Sequence, residues 1–355
     1  MKKYDIGGIS MSNYIKSINI RNYRGIDEME INNLEKFNIF VGDNSSCKTT
    51  VMEAIYSALP FIQEGLITTA NSRGMQVTSN NIYSFFYNAD TKNDIEFVLN
   101  EKITTRISSK EKGNIENERI IDNLGNRAID LMNSGEKFLY NILKTENNKE
   151  TMNLNVMIDN LFQITSKGYN KNMDIGDSIW ITPLNKYLNE TAQIIKKLLE
   201  NKKKKELLEF VNILEPDVDD IISDGFQISL SKSDVEKMLP LSSFGNGLSS
   251  IISIMGSIVM ENAKTIFIDE IEDGIHYLNY PKFCEILIRI AKMKDIQLFM
   301  TTHSREFLES FYNELKDKEE KVALYRFQRA NNKIKKVFYS REKAEYAINE
   351  GWDMR

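Results

Sequence analysis

One stretch of this chain has the residue types needed to hold a row of phosphate groups. Phe37 to Val41 is a mostly apolar run that predicts a buried strand, and apolar residues recur at helical spacing after Thr49. The loop between them can turn its backbone N–H groups toward an anion at the amino end of the helix. Lys48 can neutralise β- and γ-phosphates, and the Thr49 hydroxyl can ligate Mg²⁺. The sequence therefore predicts a nucleotide-binding loop made by Gly42, Asp43, Asn44, Ser45, Ser46, Cys47, Lys48, Thr49 and Thr50.

Cys47 departs from the phosphate-binding pattern G-x-x-x-x-G-K-[ST], which has glycine at this position. Glycine lets the backbone approach phosphate closely because it has no side chain. We therefore expect Cys47 to weaken nucleotide affinity or to slow turnover. A protein that binds ATP without hydrolysing it stays open as an alternative at this point.

A second strand, from Lys264 to Ile268, is mainly apolar and ends in two adjacent carboxylates, Asp269 and Glu270. Mg²⁺ prefers hard oxygen ligands and keeps several of its waters, so Asp269 can hold the ion through water. Glu270 can then polarise the attacking water as a general base. The pair predicts the metal position and the catalytic base of a site that hydrolyses a phosphate ester or anhydride.

Two further segments complete the order of motifs along the chain. The glycine-containing loop from Leu241 to Leu248 precedes an apolar helical run, Ile251 to Val259, that leads into the carboxylate strand. After that strand, Ile296 to Thr302 predicts another strand, which ends at His303. The other histidine, His276, follows no comparable pattern and is interpreted as a surface or packing residue.

In this order the four motifs resemble those of ABC-type ATPases, in the looser Ser-x-Gly-x-Gly form of RecF-like and OLD-family (overcoming lysogenization defect) proteins. That group includes the ATPase subunits of abortive-infection and PARIS-type phage defence systems. The resemblance implies that Ser243, Gly245 and Asn246 touch the γ-phosphate held by an opposite subunit. It also implies that His303 senses this phosphate and orients the lytic water. Glu272 to Gly274 would form a loop reaching across a dimer, with a simple acidic turn as the alternative.

The same resemblance implies ATP and Mg²⁺ as cofactors, with Tyr23 and Arg24 as candidates for adenine contact. It implies a homodimer or higher homo-oligomer that closes on ATP and reopens after hydrolysis. Such a protein would be a sensor or scaffold subunit of a phage-defence system, answering a phage-derived trigger by releasing an effector. The sequence after the ATPase head leaves no room for a TOPRIM-like nuclease, so we expect that effector to be encoded separately. The alternative is a RecF- or SMC-like DNA-maintenance ATPase that clamps DNA, and whether DNA is bound stays open.

The composition limits the classes of protein to which this chain can belong. With 355 residues and 41% hydrophobic content, the chain can bury one large core or two ordinary ones. Its net charge of −5 argues against a protein that coats nucleic acid through bulk positive charge. Two cysteines are too few for a disulfide framework, and no apolar run reaches the roughly 18 residues of a membrane span. We expect a cytoplasmic protein with no membrane partner.

The elements that must position these motifs predict an α/β fold, an ABC-type ATPase head with a mixed sheet that is interrupted by a mostly helical insertion. The expected N-terminal lobe, 1–109, opens with a β-hairpin, the insertion spans 110–214, and the C-terminal lobe spans 215–355. The basic run 201–205 is interpreted as a solvated helix face or helix junction rather than a nucleic-acid patch. Helices of the insertion are expected near 120–143, 152–162, 183–200 and 204–213.

Overall fold

The computed structural model of the chain describes residues 14–59, 62–110, 138–158, 164–170, 178–183, 189–260, 263–330 and 333–352. Its strands are β1 (Ile18–Tyr23), β2 (Ile26–Ile31), β3 (Phe37–Gly42), β4 (Ile95–Leu99), β5 (Ile103–Lys110), β6 (Phe138–Glu146), β7 (Lys149–Ile158), β8 (Ile164–Asn170), β9 (Ser178–Ile181), β10 (Val218–Ser223), β11 (Ile228–Lys232), β12 (Leu239–Pro240), β13 (Thr265–Ile268), β14 (Gln297–Thr301), β15 (Val322–Ala330) and β16 (Lys333–Ser340). Its helices are α1 (Lys48–Ser57), α2 (Ile62–Asn71), α3 (Asn189–Glu200), α4 (Lys204–Leu214), α5 (Asn246–Met260), α6 (Tyr280–Met293), α7 (Arg305–Leu315) and α8 (Arg341–Asn349). None of the helices in these ranges is both long and apolar enough to cross a membrane.

Six strands form a mixed sheet in the order β16-β15-β3-β14-β13-β9, in which β15 and β16 are antiparallel and all other neighbours are parallel. Strands β3, β13 and β14 are buried along their whole lengths. Strands covered on both faces occur as near-continuous apolar runs. The strands predicted at 37–41, 264–268 and 296–302 are therefore confirmed, with small differences at their ends.

The mixed sheet separates two hydrophobic cores because side chains alternate between its two faces. On β3, Phe37 and Ile39 belong to one core, and Phe40 belongs to the other. The first core packs helices α3 to α8 against the sheet. The second core contains side chains of α1, α2 and the antiparallel strands. Helix α1, which begins at the phosphate loop, therefore lies between the mixed sheet and a second sheet.

The second sheet has seven antiparallel strands in the order β2-β1-β4-β5-β6-β7-β8. The predicted hairpin at its edge is confirmed, since β1 pairs with β2 through a turn at Arg24 and Gly25. Strands β4 and β5 confirm the two further strands that the sequence predicts near 94–107. A small three-stranded sheet, β10-β11-β12, precedes α5.

The prediction of a mostly helical insertion is wrong for the described residues. The segment expected to be helical near 152–162 lies mainly in β7, and the end of the one expected near 120–143 lies in β6. The part of that second segment from 120 to 137 lies outside the described residues. The helices expected near 183–200 and 204–213 are confirmed as α3 and α4 over their described residues.

The error has a physical cause in the polar residues of β6 and β7. Asparagine is depleted in strands, so Asn141, Asn153 and Asn155 argue against a strand when the sequence is taken alone. In the fold the Asn141 side-chain amide donates hydrogen bonds to the Oδ1 atoms of Asn153 (2.8 Å) and Asn155 (3.3 Å) across the ladder. Pairing between strands therefore overrides the local preference.

The boundaries expected at 109 and 214 stay a prediction. Strand β5 runs across the first boundary and pairs with β6 of the predicted insertion. Strand β9, also within that insertion, pairs in parallel with β13. Strands of the predicted insertion therefore extend both large sheets.

The basic run 201–205 forms a junction between helices, as expected. Lys202 has a φ of 60° in the turn between α3 and α4. The Lys203 Nζ donates to the carbonyl oxygens of Val259 and Met260, both at 2.9 Å, at the carboxyl end of α5. Lys204 forms an ion pair with Asp220. These charges thus cap a helix and bind a neighbouring strand.

Candidate active site

Three parallel strands end beside one another at one edge of the mixed sheet. Strand β3 ends at Gly42, β13 is followed directly by Asp269, and β14 ends at Thr301. Strand β14 lies between the other two. Because parallel neighbours bring their carboxyl ends to the same edge, this pairing gathers the phosphate loop, the carboxylates and the histidine strand.

The phosphate loop is closed by its own lysine. Gly42 has a φ of 137°, and a Cβ there would lie 2.0 Å from the carbonyl oxygen of Phe327, so this position requires glycine. The Lys48 Nζ donates to the carbonyl oxygens of Gly42 (2.8 Å) and Asp43 (3.0 Å). Burial lowers the pKa of Lys48, and the carboxylate of Asp269 counteracts that fall. The Lys48 ammonium group is therefore held across the opening of the loop.

The backbone of Cys47 explains why the pattern has glycine at this position. Its φ and ψ are 71° and 19°, in the left-handed region, directly before the first residue of α1. That region costs a residue with a side chain about 1–2 kcal/mol. Burial raises the pKa of the Cys47 thiol, and Arg329 opposes this rise. The cysteine therefore adds strain, while the loop keeps the conformation that glycine favours.

Thr49 and Asp269 present oxygen atoms suited to a magnesium ion. The Thr49 hydroxyl donates to the two carboxylate oxygens of Asp269 at 3.0 and 3.3 Å. The Thr301 hydroxyl donates to Asp269 Oδ1 at 2.6 Å and fixes the carboxylate from the other side. Sequence reasoning missed Thr301, whose place is set by the pairing of β14 with β13.

These donors match what a metal ion on a triphosphate requires. Within the described ranges, no three His, Cys, Asp and Glu side chains gather into a metal-binding group. A Mg²⁺ ion bound with a nucleotide needs no such group, because phosphate oxygens and water fill most of its positions. The hydroxyl of Thr49 and the carboxylate of Asp269 are the protein contribution that such an ion takes.

Glu270 and His303 both line the cavity beside the phosphate loop. The backbone N–H of Glu270 donates to Thr301 Oγ1 at 2.8 Å. The backbone N–H of His303 donates to Glu272 Oε1 at 2.6 Å. Burial lowers the pKa of His303, and the nearby charge of Lys48 lowers it further. The imidazole is therefore mainly neutral at pH 7 and able to accept a hydrogen bond.

The cavity has a volume of about 480 Å³, within the size range of ligand sites. The Ser46 hydroxyl is buried and has no hydrogen-bond partner among the described residues, a situation that a bound anion would resolve. Gly42, Asp43 and Asp269 lie behind the lining, where they hold Lys48 and Thr49. The lining residues are Arg24, Gly25, Asn44, Ser45, Ser46, Cys47, Lys48, Thr49, Thr50, Arg73, Glu270, His303 and Arg329.

The three residues expected to complete the site from an opposite subunit do not line this cavity. Ser243, Gly245 and Asn246 are exposed, with Ser243 at the end of a 3-10 turn and Asn246 at the first residue of α5. Helix α5 is attached to the loop after β13, because the Ser250 hydroxyl donates to the carbonyl oxygen of Asp273 at 3.1 Å. One copy of the chain therefore does not bring this glycine-containing loop to its own cavity.

Two arginines of the lining, Arg73 and Arg329, were not predictable from a local motif. Arg73 lies in the turn after α2, and Arg329 lies near the end of β15. Arg329 reaches the cavity because β15 pairs in parallel with β3 and places Phe327 opposite Gly42. Because side chains alternate along a strand, Arg329 lies on the same face of β15 as Phe327. This predicts a position at the cavity only when the pairing of β15 with β3 is known.

Comparison with known proteins gives the family and the fold. Residues 37–309 match the family model described as "AAA domain, putative AbiEii toxin, Type IV TA system". A protein of Helicobacter pylori named ATP/GTP phosphatase is 28% identical over 333 residues, covering 86% of this chain and 89% of that protein. The DNA replication and repair protein RecF of Clostridium botulinum is 49% identical over 43 residues, 12% of each chain.

Solved SMC head domains share the fold at low sequence identity. An Smc head bound to the C-terminal winged-helix domain of ScpA has a TM-score of 0.54 at 12% identity, covering 94% of this chain and 99% of that chain. The Smc head of Pyrococcus furiosus has a TM-score of 0.50 at 12% identity, with 95% and 99% covered. The α/β head with a mixed sheet that the sequence predicts is therefore confirmed.

Proposed function

Because the chain belongs to the AbiEii-type AAA domain family, we propose that it is an ATP-driven switch in which two copies complete each other's ATP sites. The chain is an ABC-type ATPase, on which its family, its relative in Helicobacter pylori and its fold agree. One observation supports the proposal that two copies complete each other's ATP sites. Lys48, Thr49 and Glu270 meet at one cavity, while the exposed loop around Ser243 lies elsewhere on the same copy.

Each residue of the cavity has a role that its position supports. Lys48 and the backbone N–H groups at the start of α1 would bind the β- and γ-phosphates. Thr49 and Asp269 would hold Mg²⁺, which neutralises charge on those phosphates when it is bound. Glu270 would accept a proton from the attacking water, and neutral His303 would orient that water or the γ-phosphate.

The exposed loop supplies the reason for two copies. Ser243 and Gly245 precede α5, whose amino end carries N–H groups able to bind an anion. Placed against the cavity of a second copy, this loop would cover the γ-phosphate. A symmetric dimer makes both contacts at once, because each copy contributes a cavity and a loop. ATP would favour the closed dimer, and hydrolysis would favour its opening.

A mixing experiment tests this arrangement. Lys48→Ala removes the cation of the cavity, and Ser243→Arg blocks the exposed loop, so we expect each variant alone to release no phosphate from ATP. In an equal mixture, half of the dimers are mixed and each mixed dimer has one intact composite site. The mixture should therefore recover about a quarter of the wild-type rate. The measurement is steady-state phosphate release as a function of mixing ratio, with a maximum at equal amounts.

Two results would contradict the dimer. A mixture that stays inactive, although the variants exchange subunits by mass spectrometry, would exclude sites completed by a second copy. Activity of Ser243→Arg alone would exclude a role for the exposed loop. Neither result would remove the ATPase activity itself, which depends on Lys48 and Glu270 of one copy.

The proposed switch would act in phage defence by controlling a separately encoded effector. Its support is the family description, which names a toxin of a toxin–antitoxin system. The test is co-expression with the product of the neighbouring gene. With ATP, Glu270→Gln should retain that protein in a stable complex, while the wild type should release it during turnover. A neighbouring protein that never binds either form would count against this role.

Clamping of DNA is the second candidate function, favoured by the short RecF match and the fold of SMC heads. It predicts that Glu270→Gln with ATP binds duplex DNA and that the logarithm of the affinity falls linearly with the logarithm of salt concentration. The basic run 201–205 gives no support, because Lys203 and Lys204 are used in contacts within the chain. DNA binding unchanged by ATP would exclude the clamp.

A further inference from the structure

A second cavity lies between helices α7 and α8. Its volume is about 250 Å³, slightly below the roughly 300–1,000 Å³ of drug-sized ligand sites. The described residues that line it all differ from those that line the cavity beside the phosphate loop. Helix α7 and the residue after it contribute Arg305, Glu309, Tyr312 and Lys316, and α8 contributes Glu345. The fold therefore offers a separate space of the size of a small polar molecule.

Helices α7 and α8 run in opposite directions along this cavity. Arg341, the first residue of α8, donates from its Nη2 to a carbonyl oxygen at the carboxyl end of α7. Gly351, just beyond α8, lies beside Arg305 at the start of α7, since a Cβ on Gly351 would be 3.5 Å from Arg305 Nη2. Glu345, one turn into α8, therefore belongs to the same end of the cavity as Lys316.

The hydroxyl of Tyr312 is the clearest sign that this cavity takes a ligand. The Tyr312 side chain is only 3% exposed and its ring belongs to the first core. Its hydroxyl is buried and has no hydrogen-bond partner among the described residues. Burial raises the pKa of this hydroxyl, and the carboxylate of Glu345 raises it further, so the group stays protonated at pH 7. A buried O–H without a partner is rare and costs free energy, which a polar ligand in the cavity would recover.

Each end of the cavity carries one cation and one carboxylate. Lys316 and Glu345 lie at one end, and Arg305 and Glu309 lie at the other, with 2.7 Å between Arg305 Nε and Glu309 Oε1. Glu345 also pairs through its Oε1 with Arg341 at 2.7 Å. A carboxylate has about four acceptor positions, so these ion pairs leave capacity for a further donor. Equal numbers of both charges favour a ligand that is polar but neutral overall.

We propose that this cavity binds a free α-amino acid with an uncharged polar side chain. Such a molecule carries its ammonium and carboxylate groups on one carbon atom, which matches a cation and a carboxylate at the same end of the cavity. The ligand carboxylate would bind Lys316 and the Tyr312 hydroxyl, and the ligand ammonium would bind Glu345. The ligand side chain would pass Ile348, an aliphatic residue of the lining, and end near the ion pair at the other end.

Three probes test the match of both charges. L-glutamine, glutaramate and 4-aminobutanamide are titrated by calorimetry into the full chain without nucleotide. Glutaramate is glutamine without its ammonium group, and 4-aminobutanamide is glutamine without its carboxylate. We expect L-glutamine to bind once per chain with a Kd below about 1 mM. Each analogue should bind about tenfold or more weakly, the loss typical of a hydrogen bond between charged groups.

Variants of the lining separate binding from a structural role. Tyr312→Phe keeps the ring and removes only the hydroxyl, so L-glutamine should bind about three- to tenfold more weakly. Its thermal midpoint without ligand should stay unchanged or rise, because that hydroxyl has no partner among the described residues. Lys316→Met should weaken binding about tenfold or more. Lys318→Met is the matched control, since Lys318 pairs with Glu314 at 3.4 Å outside the cavity, and it should leave the affinity unchanged.

Several results would overturn this proposal. Absence of saturable L-glutamine binding would mean that the cavity holds only water. Equal affinities of the three probes would exclude recognition of both charges. Binding that survives unchanged in both Tyr312→Phe and Lys316→Met would place the amino acid elsewhere on the chain, and an equal loss in Lys318→Met would indicate a general effect of surface charge. The titrations contain no nucleotide, so each of these results leaves the proposed ATP-driven switch intact.

Discussion

The two large sheets of this chain differ in what the ends of their strands carry. In the mixed sheet, β3, β13 and β14 lead directly into Gly42, Asp269 and Thr301, which hold the cavity together. In the antiparallel sheet, none of the described residues of β5 to β8 lines the cavity. Parallel strands bring several ends to one edge, whereas antiparallel strands send alternate ends to opposite edges. The antiparallel sheet contributes Arg24 and Gly25, in the turn between β1 and β2, to the lining, whereas three strand ends of the mixed sheet meet beside the cavity.

The antiparallel sheet instead supports the site from behind. Lys144 on β6 is fully buried, and its Nζ donates to the carbonyl oxygens of Ala58 and Leu59, both at 3.1 Å. These carbonyls lie just beyond the carboxyl end of α1, whose amino end is the phosphate loop. A cation there also interacts favourably with the helix dipole. Helix α1 thus connects the mixed sheet, whose strand ends lie at the cavity, to the antiparallel sheet, which supports the far end of the helix.

The largest effect should come from a substitution at the edge of the mixed sheet where the cavity lies. Glu270→Gln removes the carboxylate that we propose as the general base, so phosphate release should fall about 10²–10⁴-fold while ATP binding persists. Glu150→Gln, which changes an exposed carboxylate on β7, should leave the rate unchanged. Steady-state phosphate release and equilibrium nucleotide binding measure the two quantities. Turnover that survives in Glu270→Gln would show that the strand-end carboxylate is not the base.

A single methyl group on the phosphate loop should have the next largest effect. In Gly42→Ala the new Cβ would lie 2.0 Å from the Phe327 carbonyl oxygen at a φ of 137°. We expect a loss of about 3 kcal/mol or more in the free energy of unfolding. Gly74→Ala is the matched control, since its φ is 69° but nothing lies within 4 Å of its Cβ, so the loss should be only about 1 kcal/mol. Urea unfolding compares the two, and equal losses would rule out steric contact as the cause.

The same contrast explains which parts of the fold were predictable from sequence. Strands such as β13, buried on both faces, read as continuous apolar runs, and each leads into a motif whose residues are neighbours in sequence. Strands β6 and β7 carry polar residues that become favourable only through partners on the adjacent strand. The residue pattern within one segment gives no information about contacts with another strand. The sequence therefore predicts helix where the structure has β6 and β7.

The candidate site divides in the same way. Residues 44–50, which line the cavity, could be identified together because they are neighbours in one short sequence motif, and their role in nucleotide binding stays a prediction. Arg73 and Arg329 could not be identified in this way, because Arg73 depends on its contact with Glu53 and Arg329 depends on the pairing of β15 with β3. Ser243 is exposed on its own copy, and its contribution to the site of a second copy stays a prediction.

The support from the antiparallel sheet should have a smaller effect than the phosphate loop. Lys144→Met leaves the buried carbonyls of Ala58 and Leu59 without their donor, and we expect a loss of about 2 kcal/mol in the free energy of unfolding at pH 7. Lys149→Met changes an exposed lysine on the neighbouring strand and should cost less than about 0.5 kcal/mol. Chemical denaturation of the two variants measures the difference, and a fully stable Lys144→Met would argue against support of α1 by β6.

The lowered pKa of Lys144 determines how its contribution to the free energy of unfolding changes with pH. Burial lowers the pKa of Lys144 to about 8, from a usual value of 10.5. Between these two pH values the unfolded chain binds more protons than the folded chain, so the wild type gains stability as pH rises. The gap between wild type and Lys144→Met should therefore widen from pH 8 to pH 10.5 and stay constant below pH 8. A gap that narrows as pH rises would contradict a lowered pKa.

The smallest effect should come from relieving strain inside the phosphate loop. Cys47→Gly places glycine at a φ of 71°, and we expect a gain of up to about 1 kcal/mol in the free energy of unfolding. Glu101→Gly relieves a φ of 58° in the turn between β4 and β5 and should give a similar gain, without changing nucleotide affinity because it lies outside the cavity. Titration with ATP and phosphate release therefore separate strain in general from strain at the site. Faster turnover in Cys47→Gly alone would show that the cysteine slows hydrolysis, whereas equal rates and equal ATP affinities would show that the loop works as well with cysteine as with glycine.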